Sequence, residues 1–233
     1  MNIFNNQEIE QIKKLSEKSG IGIAFSNEIA HAYLDKGYAC ILVSDRNDAT
    51  YAADALVYDE KDLTKDYIEH VYNRHYKIPC KILETERTYL RETYVDDLDA
   101  LYDLYGHDEI MEFIPPLFER KEEEQYHRDY YDKIYSFYDY GMWGVFDKNT
   151  DQMIGRCGID PHEYGAELGY IISPEYQGRG IAFEVCSAII RYAKEIELPE
   201  LWAKIDERNK ASVNLAKKLG FINFEEDIYR LEL

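Results

Sequence analysis

The 233-residue sequence predicts a two-part α/β (α+β) protein, a small parallel α/β unit followed by a larger domain of strands and helices. Three observations carry this expectation. Short apolar runs alternate with segments of helical spacing along the chain. Pro79 interrupts that alternation about a third of the way along. A junction of strand, glycine-containing turn and helix, SPEYQGRGIAFEVC at 173–186, then stands inside the second part.

In the first part, Ile9, Ile12 and Leu15 give a short helical stripe. The runs at 21–25 and 40–43 read as buried strands around a helix at 28–36, and 55–58 as a third strand. Ser26 and Asn27 fit a helix N-cap. A helix over 65–76 follows, with Tyr67, Ile68, Val71 and Tyr72 on one side. Gly20 and Gly22 precede or interrupt a strand and so do not form a dinucleotide fingerprint, which links a strand to a helix. His31, His70 and His75 read as surface or packing residues. Pro79 then ends the helical pattern, and the boundary falls near 77–83, giving a unit at 1–80 and a domain at 84–233.

KILETERTYLRE opens the second part as a fresh strand. A helix over 96–105 turns Leu98, Leu101, Tyr102 and Tyr105 to one face. The loop HDEIMEFIPPLF separates it from a helix over 119–140 whose stripe is Tyr126, Tyr130, Ile134, Phe137 and Tyr138. Residues 142–146 and 153–159 flank the turn-like DKNTDQ and read as a hairpin, and AELGYII at 166–172 as the next strand. Ala182, Val185, Cys186, Ile189, Ile190, Ala193 and Ile196 follow helical spacing. A strand at 201–206 and a helix at 210–219 stopped by Gly220 come next, and FINFEEDIYRLEL supplies two last strands.

Composition narrows the partners. Hydrophobic residues at 45% and charged residues at 31% describe an ordinary globular chain. A formal net charge of -19 repels a nucleic-acid backbone or an anionic membrane, suits a cationic acceptor, and also serves simply to solvate the surface. Cys40, Cys80, Cys157 and Cys186 contain no C-x-x-C pair, so neither a metal site nor a disulfide framework is expected. The start MNIFNNQEIEQIKK lacks a signal pattern and no segment reaches about 20 apolar residues, so a cytoplasmic protein is expected.

The junction at 173–186 carries the chemistry. The first amides of a helix lack intrahelical acceptors and sit at the positive end of its dipole, where an anion binds. Gly178 and Gly180 let a phosphate approach that backbone. A P-loop would need a lysine and hydroxyl pair, and a dinucleotide loop a small residue where Phe183 stands.

Gln177-Gly178-Arg179-Gly180-Ile181-Ala182 follows Q/R-x-x-G-x-G/A and resembles the pyrophosphate loop of the GNAT acetyltransferase superfamily. ETERTYLRE, DLDALYDLY, IGRCGI, AELGYIISPEYQGRGIA and ERNKASVNLAKKLGF occur in the order of its ribosomal-protein N-terminal acetyltransferase branch. The resemblance covers about 84–233.

It implies a mixed sheet flanked by helices, whose fourth and fifth strands, ending near Ile172 and Ile205, splay apart around acetyl-coenzyme A. The Ile172 amide would then polarise the thioester carbonyl, the amides of Gly178 to Ala182 hold the pyrophosphate, and Asn209 contact the coenzyme, with simple helix-start residues as the other reading of Asn209 and Ser212. Glu167 occupies the strand position of a general base, on the face that strand alternation sets opposite Leu168 and Tyr170, with a surface or structural carboxylate as the other reading. Ser212 of N-K-A-S matches the N-x-x-S pattern for an acid to the departing thiolate; Tyr170 or a loop tyrosine is the other candidate. The implied reaction moves acetyl to a primary amine, a protein N-terminus or a small cationic molecule, by direct attack without metal. The loop 107–118 and the tyrosine-rich helix would shape the acceptor site. A non-catalytic acyl-coenzyme A sensor and an interaction module are the alternatives. The N-terminal addition lies outside the resemblance and could position the acceptor, bind a regulator, make a homodimer contact or solubilise the enzyme.

Overall fold

A computed structural model describes residues 20–44 and 53–233. The stripe at Ile9, Ile12 and Leu15 lies outside the described residues. The chain divides into two compact units, Met1–Cys80 and Lys81–Leu233.

In the first unit, β1 (Ile21–Ala24), α1 (Asn27–Leu34), β2 (Ala39–Val43), β3 (Ala55–Val57) and α2 (Lys65–His75) build a parallel sheet in the order β1-β2-β3 with a helix on each face. Strand alternation explains the layering. Ala39, Ile41 and Val43 share a cluster with Val71 of α2, while Cys40 and Leu42 share one with Ala30 of α1. All five residues of β2 are buried, as a central parallel strand requires. Ser26 caps α1 by accepting the Ile29 N–H at 3.4 Å, and Thr64 caps α2 by accepting that of Tyr67 at 3.1 Å. The first strand stops at Ala24, one residue short of expectation, and Phe25 is exposed. His75 is a packing residue: its Nδ1 lies 2.9 Å from Asp54 Oδ1, and the other Asp54 oxygen accepts the Cys40 N–H at 2.7 Å.

The second unit runs β4 (Lys81–Glu84), β5 (Thr88–Arg91), α3 (Leu98–Tyr105), α4 (Arg120–Tyr130), β6 (Met142–Asp147), β7 (Met153–His162), β8 (Gly165–Ile172), α5 (Ile181–Glu195), β9 (Glu200–Lys204), α6 (Lys210–Leu219), β10 (Ile222–Glu225) and β11 (Ile228–Glu232). Its eight strands form one mixed sheet in the order β10-β11-β9-β8-β7-β6-β5-β4, in which only the β8–β9 pair is parallel. KILETERTYLRE is therefore two strands joined by a turn, and β4 is the outer strand of this sheet.

Alternation again sorts the faces. Trp143, Val145, Cys157, Ile159, Leu168 and Ile172 pack with Val185, Cys186 and Ile189 of α5 and with Val213 and Ala216 of α6. Ile171 points the other way and joins Leu98, Leu101, Leu104 and Tyr105 of α3.

The expected helix over 119–140 is broken in the middle. α4 passes into a π-helical stretch at Tyr131–Tyr135, then a short turn Ser136–Tyr138 that ends at Asp139 with φ 55°. A π turn contains an extra residue, which rotates everything beyond it relative to an ideal helix. The buried face is accordingly Glu123, His127, Tyr130, Tyr131 and Tyr135, whereas Phe137 is 78% exposed. The stripe read from the sequence is correct at Tyr130 and wrong at Phe137 for this reason.

Candidate active site

At the end of β8 the chain makes a single 3₁₀ turn, Pro174–Tyr176, and enters the glycine pair. Gly178 and Gly180 have φ of 70° and 79°, the left-handed region that costs L-residues and not glycine. Gly180 is the N-cap of the 15-residue α5, and its carbonyl accepts the Glu184 N–H at 3.1 Å. It offers no side chain to the amides of Ile181, Ala182 and Phe183, which precede the first intrahelical bond. A Cβ on Gly178 would meet nothing within 4 Å, so open space lies beside the loop. Bare amides, a helix dipole and room for a ligand fit a pyrophosphate.

Beside this entrance the sheet forks. β8 and β9 share one registered pair, Glu167 with Trp202, although β8 pairs with β7 along its whole length from Gly165 to Ile172. Ser173 N–H donates to Ile154 on the β7 side at 2.8 Å. By alternation the Ile172 N–H points the other way, into the gap between β8 and β9. On β9, Ile205 N–H donates to Asp227 at 2.8 Å on the β11 side, which turns the Lys204 N–H toward the same gap. The Gln177 side chain donates to the Ile172 carbonyl at 2.8 Å. This bond caps the end of β8.

The loop and fork border a cleft of about 480 Å³. Of the residues singled out in the sequence, Ile172, Gln177, Gly178, Gly180, Ile181, Ala182, Asn209 and Ser212 line it; Arg179 and Glu167 do not. The Arg179 guanidinium instead lies 5.4 Å from the Tyr176 ring centre. Asn209 is the N-cap of α6, accepting the Ser212 N–H at 3.0 Å, so its side-chain NH₂ is the group available to a ligand. Tyr170 also lines the cleft. Its hydroxyl is buried without a satisfied hydrogen bond, and burial raises its pKa against a pull from neighbouring Ser212. The loop 107–118 contributes Glu109, Ile110, Glu112, Phe113 and Ile114 to the wall, whereas no residue of α4 does.

Glu167 sits at the crotch of the fork on the face opposite Tyr170. Burial pushes its carboxyl above the ordinary value of 4.5, with Asp160 acting in the same direction; His162, the Lys204 amide and the Lys204 side chain oppose it. His162 Nδ1 lies 3.7 Å from its Oε2. A carboxyl so placed can accept a proton or, through the Lys204 amide, hold the two diverging strands.

Sequence reading missed Arg87 and Glu184. Arg87 Nε donates to Glu184 Oε2 at 2.7 Å, its backbone N–H to Oε1 at 2.9 Å, and its Nη1 to the Arg179 carbonyl at 2.7 Å. Partial burial pushes the Glu184 carboxyl up, but bonds from Thr85 and Arg87 outweigh this and hold it below its ordinary range. The available signal was Glu184 itself, an acid in the first turn of a helix assigned to bind phosphate. Such a charge calls for a cationic partner.

Among the described residues, no group of three or more His, Cys, Asp or Glu is placed to hold a metal ion, and no helix is long and apolar enough to cross a membrane.

A mixed sheet forked between two parallel strands, with a glycine-opened helix entrance at the fork, forms a site fitted to a phosphate-bearing ligand. The acetyltransferase (GNAT) domain family matches residues 87–222, and the chain belongs to that family. Its relatives include the uncharacterized protein YkkB of Bacillus subtilis (strain 168), 34% identical over 88 residues, which are 36% of this chain and 51% of that protein. The chain thus spans about half the length of that relative. The [ribosomal protein uS5]-alanine N-acetyltransferase of Escherichia coli (strain K12) is 32% identical over 84 residues, 34% of this chain and 43% of that protein. Among solved structures, RimL, a ribosomal L7/L12 alpha-N-protein acetyltransferase in complex with coenzyme A, aligns with a TM-score of 0.55 at 17% identity, covering 66% of this chain and 98% of that one.

Proposed function

We propose that the second unit transfers the acetyl group of acetyl-coenzyme A to a primary amine, foremost a protein N-terminus, in the cytoplasm. The observation that carries this reading is the juxtaposition of the helix amides at 181–183, which no side chain caps, with a fork toward which the Ile172 N–H turns. The coenzyme supplies an activated acyl thioester. The chain's own groups hold and polarise it: the loop amides face the pyrophosphate, Asn209 offers its side-chain NH₂, and the Ile172 N–H faces the acyl oxygen, where a fixed donor is most effective as negative charge develops. Glu167 takes the proton of the attacking amine directly or through a water. Ser212, at the start of α6 beside the buried Tyr170 hydroxyl, returns a proton to the departing sulfur.

The N-terminal acceptor is supported by the uS5-alanine relative. A small cationic amine is the second choice, favoured by the net charge of -19 and by Glu109 and Glu112 on the cleft wall. Free thiol release from acetyl-coenzyme A, screened against short peptides and small amines, tests both. Release that depends on a peptide or amine acceptor is the expected result. Coenzyme binding with no release against any acceptor would turn the reading toward a sensor.

The loop, the fork and all residues lining the cleft lie within residues 81–233. A fragment of those residues retains β4 and is expected to fold and to show a thermal shift with acetyl-coenzyme A, although acceptor turnover can fall if the first unit contributes to acceptor binding. An insoluble fragment, or a folded one without that shift, would make the first unit integral to the catalytic core.

A further inference from the structure

Arg87, in the turn between β4 and β5, meets a helix that starts nearly a hundred positions later. Both its main chain and its side chain are fixed. Its backbone N–H bonds Glu184 Oε1 at 2.9 Å, and its carbonyl accepts the Lys148 N–H at 3.0 Å. Its guanidinium spans two partners, with Nε and Nη2 at 2.7 and 2.6 Å from Glu184 Oε2 and Nη1 at 2.7 Å from the Arg179 carbonyl. A planar guanidinium has the fork geometry to serve both at once.

The second bond matters most. The Arg179 carbonyl belongs to the same peptide as the Gly180 N–H, and no peptide bond among the described residues is cis. In a trans peptide the C=O and N–H point in opposite directions. Pulling the carbonyl toward Arg87 therefore turns the Gly180 N–H away from Arg87. Glycine at positive φ does not fix that orientation by itself, because its backbone is free to take several conformations. The first bond removes a second problem, since the Glu184 carboxylate, four residues into the anion-binding region, would repel a phosphate if left unpaired.

We infer that Arg87 is a positioning residue of the phosphate loop, which holds the Arg179–Gly180 peptide with its N–H toward the cleft and neutralises Glu184 beside it. This rests on the coenzyme-binding reading proposed above. An ion pair that only staples the β4–β5 turn to α5 would affect every ligand of the cleft alike. A loop-orienting residue affects only ligands that carry the pyrophosphate.

The test uses the full chain and two probes: coenzyme A, followed by calorimetry, and S-acetylpantetheine, which has the thioester arm without the pyrophosphate, followed by NMR titration. Arg87→Met is expected to weaken coenzyme A by about thirtyfold, the scale of a lost charge-assisted hydrogen bond with an uncompensated carboxylate. Arg87→Lys keeps the charge and loses the fork, with an expected weakening of about fivefold. S-acetylpantetheine affinity stays within about twofold in both. Should Arg87→Met fail to fold, the lysine variant decides by the same comparison. A variant that binds coenzyme A like the parent, or one that loses both probes equally, overturns the positioning role. A parent that does not bind coenzyme A overturns the coenzyme-binding reading instead.

Discussion

Gly180→Glu is expected to abolish measurable coenzyme A binding in a protein that remains folded, a loss of about a hundredfold or more on the scale of buried like-charge contacts. Two effects add. Residue 180 has φ of 79°, where a side chain costs about 1–2 kcal/mol. The new carboxylate also stands at the N-cap of α5, next to the amides that would face the pyrophosphate. Gly180→Ala separates the two, because it carries the strain without the charge and its methyl would lie 3.7 Å from the nearest atom, Arg87 Nη2, an ordinary contact. The alanine variant should therefore lose stability while retaining much of its affinity. Calorimetry with coenzyme A on folded variants provides the measurement. Unchanged affinity in Gly180→Glu would remove the phosphate cradle from the mechanism.

The parts of this site that were legible in the sequence depend on local geometry. Gly180 and Gly220 mark a helix start and a helix stop because each takes a positive φ, and Asn209 marks the start of α6 because its side chain caps the first turn. Strand alternation separated Glu167 from Tyr170 for the same reason, since a period of two needs no tertiary information. The illegible parts depend on distant partners. Arg87 and Glu184 are ordinary charged residues until the β4–β5 turn is laid against α5. The strand-capping role of Gln177 follows from where β8 ends. The π stretch at Tyr131–Tyr135 shifted the buried face of a segment so rich in tyrosine that either phase supplied an aromatic stripe. Ahead of that stretch, Glu123 and His127, 1% and 2% exposed, lie inside the protein with His127 Nε2 3.2 Å from Glu123 Oε1, a polar pair that no hydrophobic periodicity announces.

Glu167→Gln should bind coenzyme A with parental affinity and turn over the acceptor about a hundredfold more slowly or worse, the scale of general-base assistance. Binding is preserved because Glu167 does not line the cleft that holds the loop, while the amide keeps the shape of the side chain at the fork. The pH dependence carries the assignment. A carboxylate must be ionised to accept a proton, and burial raises the Glu167 carboxyl above 4.5. The parental rate should then fall as the solution is acidified through that raised value, and the fall should begin at higher pH than an exposed carboxylate would allow. The glutamine variant has no group to protonate and should lack this acidic limb, leaving only the limb set by the acceptor amine. His162 Nδ1 lies 3.7 Å from this carboxyl, so His162→Gln serves as a control and should retain the limb. If Glu167→Gln keeps the parental rate and profile but loses thermal stability, the carboxylate is a brace across the diverging strands, acting on the Lys204 amide, and the base must be sought elsewhere in the cleft.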